Sequence, residues 1–456
     1  MEPLDLIVIG GGPAGYLAAA RASEQGMKVL LFEKNKLGGV CLNEGCIPTK
    51  TLLNSAKIYD HAKHGEIYGI HAECVSADIP EILKRKEQVI KTLVSGVAMN
   101  MKRHKVQVVY EQAEILDKTS QGFTVSAAGE KYNAKKVLIA TGSETVIPPI
   151  SGIKKAVEDG TVLTSREILN LEEQPEKMTV IGAGVIGLEM AAYFAAIGTE
   201  VTVVEMLPKI AGFMDGKTSK ILQKDLQKKG VKFLLEYKVS EIRENKVICI
   251  AKDGKEVVVK GDKILIAIGR KPEVGHCGLE NLDVKTENGK VVTDQHLRTS
   301  VEGLYAAGDI NGQAMLAHTA YRESEVAVND MTGIGDVMDY HAVPSVIYTV
   351  PECACVGETE ESAKEKGIKI KIAELPMVYS GRFVAESAGE SGICRLIFEE
   401  ESGCLIGAHL VGNYVSEIIW GLTALIGQKT TVEEMKKIIY PHPSISEIIK
   451  ETIFQL

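Results

Sequence analysis

Cys41 and Cys46 stand in the segment GGVCLNEGCIPTK, residues 38–50, with a glycine immediately before the second cysteine. Such a pair serves one of three chemistries: a structural disulfide, half of a zinc site, or a dithiol that opens and closes in a redox cycle. Structural zinc takes four ligands in closely paired spacings, and no second pair of matching form follows. Cys353 and Cys355, in VPECACVG, sit in an apolar segment and read as core, while Cys74, Cys277, Cys394 and Cys404 show no partner and read as structural. A disulfide needs Cα atoms about 4.4–6.8 Å apart. Residues five apart in a regular helix are separated by roughly 8.5 Å, so this pair closes only if residues 43–45 distort the turn. Gly45 permits that. Pro48 suits the first turn of a helix beginning near Cys46, and the positive end of a helix stabilises a thiolate.

A second reactive group lies near the C-terminus, in YPHPSISEIIK. His442 stands between two prolines, which hold its backbone extended. A helix is expected after Ser444, and S-I-S-E has the form of a capping box with Glu447 at the third helical position. Glu447 therefore has two readings, a cap or a carboxylate that orients His442, and both roles can coexist. A rigidly held histidine beside a carboxylate is suited to taking a proton from a thiol.

The elements that position these groups repeat one design. LDLIVIGGGPAG reads as a buried strand turning through glycines into a helix, and the following strand KVLLFE ends in Glu33. Gly10, Gly12, Gly15 and Glu33 recur at the same spacing as Gly182, Gly184, Gly187 and Glu205, in MTVIGAGVIG and EVTVVE. The first glycine makes the turn, the second lets backbone approach a pyrophosphate, and the third lets helix pack on strand. Backbone N–H groups and the helix N-terminus hold the phosphates, and the terminal acid accepts hydrogen bonds from an adenosine ribose. Glu205 favours NAD, because a carboxylate repels the 2′-phosphate of NADP and no arginine follows in VVEMLPK. The strand in TSVEGLYAAGDI ends in a Gly-Asp pair, which reads either as a contact from Asp309 to a flavin ribityl chain or as an ordinary turn.

At 456 residues the chain is expected to form two to four domains. A net charge of −9 argues against a nucleic-acid surface. No apolar run reaches the roughly 18 residues that cross a bilayer. Glu2 and Asp5 stand where a signal peptide needs positive charge, so a cytoplasmic location is expected, without membrane or nucleic-acid partners. A deliberate cysteine pair in a reducing compartment is more often redox-active or metal-binding than structural. No metal site is expected.

GGxCLNxGCIPxK resembles the redox-active segment of the flavoprotein disulfide reductases, most closely those acting on dihydrolipoamide. The likeness continues through ATGS at 140–143, AIGRKPE at 267–273, AMLAH at 314–318 and PHPSISE at 441–447. It implies an α/β fold of two nested, doubly wound dinucleotide-binding domains plus a C-terminal α+β dimerisation domain. FAD would occupy residues 1–148 with 272–340, NAD residues 149–271, and the dimerisation domain 341–456. Cys46 would stack on the flavin and Cys41 would meet the substrate, with His442, oriented by Glu447, as acid–base. Lys50 and Glu189 resemble an ion pair near the flavin, and Ala317 and His318 a backbone segment facing it. The resemblance also places Ala113, Gly142 and Ser143 at FAD, and Val239 and Gly269 at NAD or the border of the two cofactors.

The reaction implied is oxidation of protein-bound dihydrolipoamide with NAD⁺ as acceptor, in a homodimer where His442 of one subunit serves Cys41 of the other. The alternative is a related reductase acting on another small disulfide. No lipoyl-type segment is recognised, so the lipoyl group is expected to arrive on another protein. The apolar run IIWGLTALIG suits an interface helix or a core equally. Three positions depart from the family pattern: Val40 where threonine is usual, Glu44 where a small apolar residue is common, and Tyr440 in place of a histidine.

Overall fold

The computed structural model describes residues 4–456. The chain divides into two compact units, one formed by Met1–Pro48, Lys84–Val146 and Gly269–Tyr340, the other by Thr49–Leu83, Ile147–Ile268 and His341–Leu456.

The first unit is built on a seven-stranded sheet whose parallel part comprises Gln107–Val109, Val29–Phe32, Leu4–Ile9, Glu130–Ile139 and Leu304–Ala306. Strand Glu130–Ile139 is long enough to join a parallel and an antiparallel part of this one sheet. Residues 134–139 pair in parallel with Leu4–Ile9, while residues 130–134 pair antiparallel with Gly122–Ala127, which continues to Ala113–Thr119. Leu6, Ile7 and Val8 are fully buried, as expected of a parallel strand covered on both faces. The helix Pro13–Glu24 presents Ala14, Ala18, Ala19 and Ala22 to the core, small side chains that let it lie close.

The second unit repeats this plan. Its parallel sheet runs Lys232–Leu235, Glu200–Glu205, Lys177–Ile181, Lys263–Ile266, Val162–Leu163, and a three-stranded antiparallel sheet, residues 237–260, accompanies it. A further five-stranded antiparallel sheet, in the order Ser345–Ile347, Cys353–Gly357, Leu405–Val411, Ile393–Glu399, Ile370–Pro376, carries the C-terminal helices. The expected α/β class, with two dinucleotide folds and a C-terminal α+β part, is what the chain adopts. In the helix Val415–Gly427, Ile419, Leu422 and Ile426 face inward while Trp420 is 71 % exposed. Cys353 and Cys355 are buried as expected, and so are Cys277 and Cys394, whereas Cys74 is exposed and Cys404 only partly covered.

Candidate active site

The two glycine loops have the same internal wiring. Glu33 follows the end of its strand; its Oε2 accepts the N–H of Gly11 at 2.7 Å and its Oε1 that of Asn35 at 2.7 Å. Glu205 does the same, with Oε2 accepting from Ala183 at 2.8 Å and Oε1 from Leu207 at 2.9 Å. Each acid is thereby clamped to its loop before any ligand arrives.

The glycines divide by what requires them. A Cβ on Gly15 would lie 1.7 Å from Gly10 O, and one on Gly187 2.0 Å from Gly182 O, so the fold itself demands these two. Gly10 and Gly182 have φ of +110° and +105°. Gly12 and Gly184 are different: a Cβ on Gly184 would meet nothing within 4 Å, and one on Gly12 only Gly39 Cα at 3.8 Å. Nothing in the protein excludes a side chain there. The open space above these glycines is a cradle that a Cβ would fill, and it fits a dinucleotide pyrophosphate.

Beside the first loop, the cysteine segment is helical on both sides of one break rather than an open loop. Cys41 lies in the helix Gly39–Glu44 and Cys46 is the first residue of the helix Cys46–Lys63. Gly45 interrupts them at φ −147°, ψ −105°. A Cβ there would sit 3.1 Å from Val40 O, so the chain folds back tightly over Val40. A break at this position is what closure of the pair would need. Asn43 Nδ2 donates to Leu37 O and Gly39 O at 3.0 and 2.9 Å, tying down the start of the short helix. A Cβ on Gly39 would come within 2.7 Å of Gly12 Cα. The backbone that carries Cys41 therefore rests on the first dinucleotide loop.

Asp309 follows the strand Leu304–Ala306. Its Oδ2 accepts the hydroxyl of Ser143, whose oxygen in turn accepts Arg270 Nε at 2.8 Å. Burial pushes the Asp309 carboxyl above the usual range, against the opposing effects of Ser143 and Arg270. Gly142, at φ +80°, accepts the N–H of Glu273 at 2.9 Å, and Gly269 O accepts that of Val146 at 3.1 Å. Ala113 opens the strand Ala113–Thr119, and Ala317 and His318 open the helix Ala317–Met331. Val239 is 7 % exposed, beside a β-bulge, with its side chain in an apolar core.

In the second unit, Lys50 Nζ lies 3.0 and 2.9 Å from the two oxygens of Glu189, which is 3 % exposed. His442, with a side chain 79 % exposed, places Nδ1 at 2.8 Å from Glu447 Oε1. Glu447 Oε2 accepts the N–H of Ser444 at 2.9 Å. That contact and the one to His442 hold its carboxyl below the usual range. An ionised carboxylate only accepts, so Nδ1 is the donor in this contact. One oxygen of Glu447 goes to His442 and the other to the Ser444 N–H, but Glu447 is the first helical residue rather than the third, so the capping box of the second reading is not formed. The helix itself begins at Glu447, later than expected, because Ser444 Oγ turns to Pro441 O and Ser446 Oγ instead of completing the capping box.

The fold also brings together two tyrosines that no sequence signal connects. Tyr16 and Tyr321 join their hydroxyls at 2.5 Å, both within electrostatic reach of Cys41 and Cys46, and burial raises both phenols. They are too far apart along the chain for any spacing to reveal the pair.

Comparison with known proteins agrees with this geometry. The family model for pyridine nucleotide-disulphide oxidoreductases matches residues 4–324, and the model for the dimerisation domain of that family matches 343–453. The dihydrolipoyl dehydrogenase of Rhizobium etli is 36 % identical over 99 % of this chain and 98 % of its own. Among solved structures, LpdA from Mycobacterium tuberculosis superposes with a TM-score of 0.89 at 25 % identity, covering 99 % of both chains. The HOCl-induced flavoprotein disulfide reductase RclA from Escherichia coli gives 0.86 at 26 %, again over 99 % of both. Paired glycine loops with clamped acids, a cysteine pair resting on the first loop and a matched C-terminal domain lead to one assignment: the chain belongs to the pyridine nucleotide-disulphide oxidoreductase family.

Proposed function

We propose that this chain is a dihydrolipoyl dehydrogenase that oxidises dihydrolipoamide carried on another protein and reduces NAD⁺. The observation that carries the reading is the contact of Gly39 with Gly12, which seats the cysteine helix on the first dinucleotide loop. FAD, held by the Gly10–Gly12–Gly15 loop, Glu33 and Asp309, supplies two-electron transfer between the dithiol and the nicotinamide. The second loop and Glu205 hold NAD.

The protein's own groups handle sulfur and proton. His442 Nε2 removes a proton from one substrate thiol. The thiolate attacks Cys41 Sγ and breaks its bond to Cys46, which leaves as a thiolate at the N-terminal end of the helix Cys46–Lys63. The second substrate thiol gives its proton to Cys41 as its sulfur displaces that cysteine, so lipoamide departs with two electrons and that proton left on the cysteine pair. We assign the acting histidine to His442 of the partner subunit in a homodimer, and the lipoyl carrier to a 2-oxo acid dehydrogenase or glycine cleavage complex. A cytoplasmic location belongs to the same proposal; among the described residues no helix is long and apolar enough to cross a membrane.

Turnover of dihydrolipoamide with NAD⁺, set beside turnover of glutathione disulfide with NADPH, tests the substrate. Activity in the second assay alone would replace this reading with that of a reductase for another small disulfide.

Asp309→Asn separates binding from stability. A carboxyl whose folded-state pKa is raised gains stability as the pH falls through that pKa, and its charged form is a cost above it. At neutral pH the apo-protein of the variant is therefore expected to melt higher than wild type. Flavin affinity is expected to fall roughly ten- to a hundredfold, the worth of a charge-assisted hydrogen bond. Fluorescence titration and thermal melts read both, and a lower melt together with unchanged affinity would refute the assignment.

A further inference from the structure

Glu189 has a third partner besides the two bonds from Lys50. Its Oε1 accepts the backbone N–H of Tyr348 at 2.9 Å, and the ring of that same residue lies against the ammonium, with Lys50 Nζ 4.5 Å from its centroid. One residue thus touches both halves of the ion pair, the acid with its backbone and the base with its π-face.

The placement of Tyr348 is firm although its side chain is not core. It follows the strand Ser345–Ile347, where Ile347 is fully buried and paired with Cys353, and it precedes Thr349, which is 1 % exposed and donates its hydroxyl to Pro351 O at 2.6 Å. Tyr348 itself is 36 % exposed. Glu189 would receive the same N–H from any residue except proline. Filling of the core does not call for an aromatic here either. What the ring supplies is a negative face for a cation whose other side is held by a carboxylate.

We propose that Tyr348 is a positioning residue acting through Lys50: its backbone orients the Glu189 carboxylate, and its ring holds the ammonium in place against that carboxylate. For its effect on the redox step this rests on the reading that the Lys50–Glu189 pair attends the flavin; for its effect on Lys50 it does not. A ring contact at a partly exposed site shifts the protonation equilibrium of the amine roughly two- to fivefold, moving its midpoint by about 0.3–0.7 pH unit.

The test is pH-resolved labelling of Lys50 by an amine reagent, read by peptide mass spectrometry on the flavin-loaded protein. Tyr348→Phe keeps the ring and is expected to match wild type. Tyr348→Leu, with Tyr348→Met as a second ring-free variant, is expected to move the midpoint of the profile downward. Simple loosening of the site would raise the rate at every pH without moving that midpoint. Identical midpoints in tyrosine, phenylalanine and the ring-free variants overturn the proposal, as does a shift in Tyr348→Phe equal to that in Tyr348→Leu. Stopped-flow reduction of the flavin by NADH serves as the second readout. Slowing in the ring-free variants with rescue by phenylalanine supports both links. A moved midpoint with unchanged flavin reduction upholds the role of Tyr348 and refutes the placement of the ion pair at the flavin.

Discussion

His442→Gln is expected to slow oxidation of dihydrolipoamide by about 10² to 10⁴, the usual contribution of a positioned general base, while NADH still reduces the flavin at close to the wild-type rate. Glutamine keeps the size and a hydrogen bond to Glu447 but has no lone pair able to take a proton at neutral pH. The asymmetry follows from where protons are handled: a thiol must lose one before it can attack a disulfide, whereas hydride arrives from NADH without one. The pH dependence carries the same signature. With Nε2 gone, the sulfur half-reaction should climb with pH as the substrate thiols ionise unaided. Stopped-flow measurement of each half-reaction decides the matter, and an equal fall in both would remove His442 from its assigned role. Glu447 stays ionised well below neutrality, since the Ser444 N–H and His442 both favour its charged form. Glu447 therefore accepts from His442 Nδ1 throughout the working range.

Cys41→Ser is expected to have the larger effect, a loss of dihydrolipoamide turnover exceeding about 10⁴-fold, because the sulfur that forms the mixed disulfide is gone and a hydroxyl cannot replace it. The substitution is nearly isosteric at a partly buried position in the short helix Gly39–Glu44. The contact of Gly39 with Gly12 does not involve the side chain, so flavin content and melting temperature should be preserved. A spectrum and a melt on the purified variant establish that the fold is intact. Retained turnover in a flavin-loaded, folded Cys41→Ser protein would end the proposal that this pair is the redox centre. A role confined to scaffolding predicts that retention.

The local chemistry was legible along the chain. Strand, glycines, helix and terminal acid are set by backbone conformation and hydrophobic run length, which act within a few dozen residues, and the glycine-rich stretches at Gly10 and Gly182 wrote them out twice. The spacing of Cys41 and Cys46 said that the pair could close only if the turn between them was distorted, and Gly45 is where the helix breaks. The sequence put Glu447 five residues from His442 but left open whether it capped a helix or oriented the imidazole; the contact itself came from the fold.

Tertiary structure alone decided which distant groups meet. The resting of Gly39 on Gly12, the Arg270–Ser143–Asp309 chain, the Tyr16–Tyr321 hydroxyl pair and the placing of Tyr348 under Lys50 join residues from separate parts of the sequence. Each depends on how sheets and helices pack, and a donor or acceptor of the right length has the same appearance in a sequence whether or not it finds its partner. Even the start of the last helix was settled this way: S-I-S-E permitted a complete capping box, but the hydroxyl of Ser444 found Pro441 O and Ser446 Oγ instead. What the sequence determined by itself were the conformations that backbone sterics enforce locally. Pairing across the fold fell to the packing of the whole chain, because hydrogen bonds and ion contacts are short-ranged and their partners are chosen only once the backbone has brought them together.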